Sequence, residues 1–176
     1  QLQKETGTLY HGARTPIDEL SPDMISLGSQ NIYGTGFYTT TSKGAANTYK
    51  RGKDGKLYKV IEKNPDAPSL NLEITPAIFG KGVLREMFTD SELRGMSLRK
   101  AIDDFRAISL VDWMPAHKVI SLVDNIFDKA YRQGYKTITH YGGMLGGGKK
   151  HKVKIFIHPA TDIKKLKETK FYKVPK

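Results

Sequence analysis

The most regular pattern in the chain is an apolar stripe that runs between residues 116 and 132. Its members recur every three or four positions, as one face of an α-helix requires: Val119, Ile120, Val123, Ile126, Phe127 and Ala130. Gly134 follows at the position where helices often end in a left-handed residue. The pattern predicts a helix over 116–132 that must bury this face against another layer of structure.

Shorter patterns surround this helix. Leu98, Ile102 and Phe105 stand at i, i+4 and i+7 and predict a second helix, and Ser42 is a candidate cap for a short helix over 43–50. Residues favouring strands or leading into one occupy 8–11, 33–40, 57–61, 137–141 and 153–158. A glycine-rich loop, 142–148, separates the last two. The order predicts one α+β domain with strands at both ends and helices between.

Composition excludes several classes of protein. The 176 residues contain no cysteine, so disulfides and thiol catalysis are absent. No apolar run approaches the roughly 20 residues that span a bilayer, and nothing at the start resembles a signal peptide. The five histidines lack the helical i, i+4 spacing of zinc proteases, which argues against a metal site. The glycine loop lacks the Gly-Lys-Ser/Thr ending of a phosphate-binding loop.

The charge is strongly positive and unevenly placed. Of the net +11, residues 149–176 contribute ten lysines against only Asp162 and Glu168. This lysine-rich end fits an acidic partner such as nucleic acid, an anionic protein surface or a phosphorylated ligand. A solvated lysine face without a partner explains it equally well, so charge alone does not assign a function.

Four short motifs together are more specific. Tyr10-His11-Gly12 is followed by Gly34-Thr35-Gly36-Phe37-Tyr38, and then by the small-residue segment from Ser42 to Tyr49. Gly134-Tyr135 opens the last motif, which leads to the closing strand. In order and spacing these resemble the ADP-ribosyltransferase fold, in the branch of the poly(ADP-ribose) polymerases and diphtheria-type toxins. The chain is most similar to the transferase domains of large polyvalent proteins in phages and mobile elements.

This resemblance implies split antiparallel β-sheets with flanking helices, and NAD⁺ as the substrate. By its analogy His11 would hold the adenosine ribose, and the Gly12 backbone would pair with the nicotinamide carboxamide. Tyr38 and Tyr49 would sandwich the nicotinamide ring, since stacking on a cationic ring is favourable. Gly34 and Gly36 would let the backbone pass close to NAD⁺. The catalytic set is then His11, Tyr38 and His151, with no metal.

Two positions depart from that branch. Ala46 stands where a serine usually holds the carboxamide, so that contact would either be lost or be made by Ser42. The branch also places a glutamate at the start of the closing strand, where it stabilises the cation formed as nicotinamide leaves. Residues 149–153 have no carboxylate, and His151 is the candidate there. Glu62 and Glu73 are substitutes from elsewhere in the chain.

The resulting expectation is a mono-ADP-ribosyltransferase that cleaves NAD⁺ at the nicotinamide–ribose bond and modifies a protein or nucleic acid. Two alternatives stay open: an inactive module that binds NAD⁺ or ADP-ribose, and a basic nucleic-acid-binding domain. We expect no membrane association, and a monomer or a domain of a longer chain. Analogy with phage polyvalent proteins predicts a cytoplasmic location, in the host bacterium after delivery by phage or plasmid.

Overall fold

A computed structural model describes residues 8–20, 35–50, 52–112, 114–142 and 150–171. Within them lie seven strands: β1 (Leu9–Ala13), β2 (Phe37–Thr40), β3 (Lys56–Glu62), β4 (Ser69–Asn71), β5 (Thr137–Gly142), β6 (His151–Phe156) and β7 (Ile163–Thr169). The helices are α1 (Lys43–Asn47), α2 (Lys81–Leu84), α3 (Asp90–Arg94), α4 (Leu98–Asp112), α5 (Ala116–Arg132) and α6 (Pro159–Asp162). A 3₁₀ turn, Ala77–Gly80, precedes α2. The α+β prediction is confirmed.

The strands form one sheet in the order β4-β5-β6-β2-β1-β3-β7. β4 and β5 run parallel, and the other neighbours are antiparallel. The sheet is therefore mixed, which corrects the expectation of antiparallel pairing throughout. A parallel pair needs a long crossover, and here the chain from β4 to β5 contains the helices α2 to α5.

The sheet is nearly divided between β1 and β2. Among the described residues, these strands share one register pair, Tyr10 with Thr40. β1 shares five pairs with β3, and β2 shares four with β6. The sheet therefore consists of a four-stranded half (β4, β5, β6, β2) and a three-stranded half (β1, β3, β7) that meet at one point.

The two faces of the sheet carry separate cores. The larger core packs α4 and α5 on the four-stranded half, and the apolar stripe of α5 lies in it as predicted, with Ile120 half-buried. The smaller core lies on the opposite face: Leu9, Phe37, Val60, Phe156 and Ile163. No helix of the described chain is long and apolar enough to cross a bilayer.

Helix bounds follow the sequence signals closely where those signals are strong. α5 begins and ends as predicted, with Gly134 in the left-handed region at φ 103°. α1 is capped by Ser42 as predicted but ends at Asn47, before residue 50. The sequence patterns did not predict β4, β7, α2, α3 or α6, although the capping box of Thr89 and Glu92 at α3 is a readable signal.

Gly12 is required where β1 meets α1. A β-carbon on Gly12 would lie 1.9 Å from the carbonyl oxygen of Ala46. Ala46 is itself buried, so α1 cannot move away without opening the core. Gly36 plays a similar part at the start of β2, because a β-carbon there would lie 2.5 Å from the Ile155 side chain. Both glycines allow close packing of neighbouring elements.

We expect Gly12→Ala to lower the free energy of unfolding by about 1–3 kcal/mol, because α1 must separate from β1. The matched control is Gly44→Ala within α1. Its β-carbon would meet only the Phe171 ring at 3.6 Å, and alanine favours helix by about 0.5–1 kcal/mol. Urea denaturation of both variants measures the difference, and equal stabilities would contradict this packing.

Candidate functional site

The junction between β1 and β2 is held by a side chain. Nδ1 of His11 donates to the backbone carbonyl of Tyr38 at 2.7 Å, and its ring stacks on Phe37 with centroids 4.0 Å apart. Burial lowers the pKa of His11, and the bond to Tyr38 opposes this only in part. His11 is therefore neutral at pH 7, with its proton on Nδ1 and an acceptor lone pair on Nε2.

This bond changes how the strands meet. If pairing continued beyond Tyr10 and Thr40, Gly12 would lie opposite Tyr38. The Tyr38 carbonyl faces this junction, because it accepts from a side chain of β1. The imidazole of His11 has replaced the ladder at the Tyr38 carbonyl. Beyond the pair of Tyr10 and Thr40, no backbone ladder joins β1 and β2 within the described residues.

Tyr38 and Tyr49, the two tyrosines predicted to sandwich the nicotinamide ring, differ in their burial. The Tyr38 side chain lies on the face of the larger core and packs partly against it. Tyr49 follows α1 and is 48 % exposed. Gly34, the other predicted contact of this segment, lies outside the described residues.

Three groups meet at the Thr40 hydroxyl, two of them from the sequence-distant strand β6. It accepts from the Ser42 backbone N–H at 3.0 Å, donates to the Lys152 carbonyl at 2.9 Å, and contacts Nδ1 of His151 at 2.7 Å. Because its one proton goes to Lys152, His151 donates to it from Nδ1. The Ser42 hydroxyl accepts from Ala45 N–H at 3.1 Å as the α1 cap. The chain Ser42–Thr40–His151 thus ties the start of α1 to the start of β6.

Burial also lowers the pKa of His151, and its hydrogen bond to the Lys152 backbone only partly offsets this. Burial is the main cause of the lowered pKa. His151 is therefore neutral at pH 7 and presents an acceptor at Nε2.

Glu73 is brought beside this end of the sheet. It accepts from the Tyr141 backbone N–H at 3.0 Å and forms an ion pair with Arg99. Burial alone would raise the pKa of Glu73, but the N–H of Tyr141 and the Arg99 guanidinium outweigh it, so the pKa lies below its usual value. Glu73 also interacts electrostatically with buried His140, and His140 in turn interacts electrostatically with His151.

Glu62, the other candidate carboxylate, is committed elsewhere. Its side chain is 8 % exposed and binds Nζ of Lys154 at 2.8 Å. Lys154 is paired with Thr39 across β2 and β6, on the face opposite Thr40 and His151. Removing either partner would leave a buried charge, so this ion pair stabilises the fold and is remote from His151.

Of the predicted residues, the structure connects His11 with Tyr38 and Ser42 with His151. The sequence reading missed Thr40, His140 and Arg99. Their signal is weak because none belongs to a motif, and only strand register places Thr40 and His140 beside Val153. Within the described ranges no cluster of three or more metal-ligating side chains occurs.

No family model, curated protein or solved structure matches the chain.

His140 should make stability depend on pH. Burial, with smaller contributions from Arg99 and His151, lowers its pKa to about 4, whereas Tyr141 and Glu73 act in the opposite direction. Between pH 6.5 and 4 the unfolded chain binds the proton and the folded chain does not, so stability falls as the pH falls. We expect a loss of about 3 kcal/mol over this window.

Urea denaturation between pH 7 and 4.5 measures this loss. His140→Gln should make the curve less steep, leaving the contributions of His11 and His151, whose pKa values are also lowered. His117 is exposed on α5, and His117→Gln should keep the parent curve. A curve unchanged by His140→Gln would contradict the assignment.

Proposed function

We propose that the chain is a mono-ADP-ribosyltransferase that cleaves NAD⁺ at the nicotinamide–ribose bond. The observation that supports this most directly is the convergence of distant motifs. His11 bonds the backbone of Tyr38, and His151 joins Ser42 through Thr40. Of these residues, the sequence predicted His11, Tyr38, Ser42 and His151 as parts of one site.

The strand junction suits a carboxamide. A carboxamide both donates and accepts hydrogen bonds, and the N–H and C=O of Gly12 would pair with it, since the Tyr38 carbonyl already accepts from His11. The space above the Gly12 α-carbon is taken by the Ala46 carbonyl, so the nicotinamide would enter between the strands with its ring against Tyr38. Nε2 of His11 would then accept a hydrogen bond from a ribose hydroxyl.

In the reaction, the bond between the nicotinamide nitrogen and ribose C1′ breaks and its electron pair leaves with nicotinamide. An acceptor nucleophile bonds C1′ and gives up its proton. Nε2 of neutral His151 would hold the hydroxyl of the nicotinamide ribose. The ionised carboxylate of Glu73, near the same end of the sheet, would supply negative charge that an imidazole lacks. Its pairing with Arg99 reduces that charge, which favours single transfer with modest rate.

A second candidate is an NAD⁺-binding module without activity. It is favoured by the lack of a carboxylate at residues 149–153 and by the Glu73–Arg99 pair. Calorimetric titration with NAD⁺ together with release of nicotinamide separates the candidates. Binding with release identifies a transferase, and binding without release identifies the inactive module.

Tyr38→Ala should weaken NAD⁺ binding by about 1–3 kcal/mol through lost stacking, and Tyr38→Phe should retain most of the affinity. Tyr135 packs partly against the same core, so Tyr135→Ala controls for lost packing. Titration calorimetry on folded variants measures the effect. Equal affinity in Tyr38→Ala and the parent would remove Tyr38 from the site.

His151→Ala should lose about 1–3 kcal/mol of transition-state stabilisation, and His151→Gln should keep part of the rate because its amide oxygen still accepts. The parent rate should fall as the pH drops through the lowered pKa of His151. Nicotinamide release against pH measures both effects. A wild-type rate in His151→Ala would place the third catalytic group elsewhere.

A further inference from the structure

Lysines gather on one face of the three-stranded half of the sheet. Tyr10 is paired with Lys59, which is paired with Lys167, and Ile61 is paired with Lys165. Residues directly opposite each other in a sheet point to the same side. We call the set of Tyr10, Lys59, Lys165 and Lys167, with Lys43 of α1, the lysine face.

The lysine face is open to solvent. Lys59, Lys165 and Lys167 are exposed, whereas their neighbours Val60 and Leu166 point to the opposite side and pack in the smaller core. The large helices α4 and α5 lie over the four-stranded half, and the short helix α1 packs against β1.

The positive charge of this face is uncompensated within the described residues. None of its four lysines forms an ion pair there. The carboxylates of β3 and β7, Glu62 and Glu168, lie on the opposite face and pair with Lys154 and Lys56. Lys59 and Lys167 stand directly opposite each other, an arrangement that destabilises a sheet. An external anion would relieve this repulsion.

Tyr10, the aromatic residue of the lysine face, indicates which class of anion this face would bind. Tyr10 is half-buried, and Nζ of Lys43 lies 5.6 Å from its ring centroid. Lysines along a surface with an aromatic platform are what proteins use to bind single-stranded nucleic acid without sequence preference. Lysine offers point charges and no bidentate fork, which suits contact with a phosphate backbone.

We propose that the lysine face binds the phosphate backbone of single-stranded nucleic acid, with a base stacked on Tyr10. The lysines of β7 stand two residues apart, about 6.6–6.8 Å along the strand, and Lys59 lies beside them. These lysines would therefore place a row of positive charges along the phosphate backbone of a bound strand. The interaction requires no NAD⁺ and is independent of the transferase proposal.

Fluorescence anisotropy of the full chain with labelled dT20 and rU20, without NAD⁺, tests the proposal. The triple variant Lys59→Gln, Lys165→Gln, Lys167→Gln should bind at least about 10-fold more weakly. Its slope of log affinity against log salt should fall by about 2, since each phosphate contact on a single strand contributes about 0.7. Comparing the two oligomers distinguishes DNA from RNA as the preferred source of the backbone.

A matched control removes the same charge elsewhere. Lys100, Lys118 and Lys129 are exposed on the large helices, away from the lysine face. Changing these three lysines to glutamine should leave affinity nearly unchanged. The first triple variant should melt no lower than the parent, because the repulsion between Lys59 and Lys167 is removed, so weaker binding is separable from misfolding.

Tyr10→Ala should weaken binding about 5-fold or more, as loss of one stacked base predicts, and Tyr10→Phe should keep it. The proposal would be overturned if both triple variants lost affinity equally. It would also be overturned if the parent showed no binding at about 50 mM salt, where phosphate contacts are strong. Equal or tighter binding of poly-glutamate or phosphatidylserine vesicles would overturn the choice of nucleic acid. Unchanged affinity in Tyr10→Ala, with equal binding of duplex, would overturn single-strand recognition.

Discussion

The hydrogen bond from His11 to the Tyr38 carbonyl is the contact on which the arrangement depends. A seven-stranded sheet would ordinarily continue its ladder from β1 to β2, but one register pair remains within the described residues. The imidazole takes the place of a backbone donor and keeps the halves attached while their strands separate. α1 follows from this, because its Ala46 carbonyl packs at Gly12 beside the junction. The position of β2 in turn sets Thr40 against His151.

The sequence predicted the elements that carry their own periodicity or caps. α5 has an unbroken apolar stripe and a glycine stop, and Ser42 is a strong N-cap residue, so both could be read locally. β4 could not, because three residues around Leu70 have no period to detect, and their strand state depends on pairing with β5. The parallel direction of that pair results from the helices between them and has no local signal.

For the candidate site, motifs identified His11, Tyr38, Ser42 and His151 but not what joins them. The joining group is the Thr40 hydroxyl, which uses all its hydrogen-bonding capacity on residues 2 to 112 positions away. Glu73 was an unsupported substitute in the sequence and reaches Tyr141 through the β4–β5 pairing. Strand register decides whether a carboxylate faces a pocket or is held in an ion pair, as Glu62 is held by Lys154. Composition alone does not predict this.

β7 forms one border of the sheet, and a border strand presents unpaired backbone groups to any other extended chain. Its side chains Lys164, Lys165 and Lys167 are all exposed. If two copies met border to border, these side chains would bring like charges into register along the new seam. The opposite border, β4, has only three residues and offers little template. Both borders of the described sheet thus disfavour the addition of a strand from a second copy.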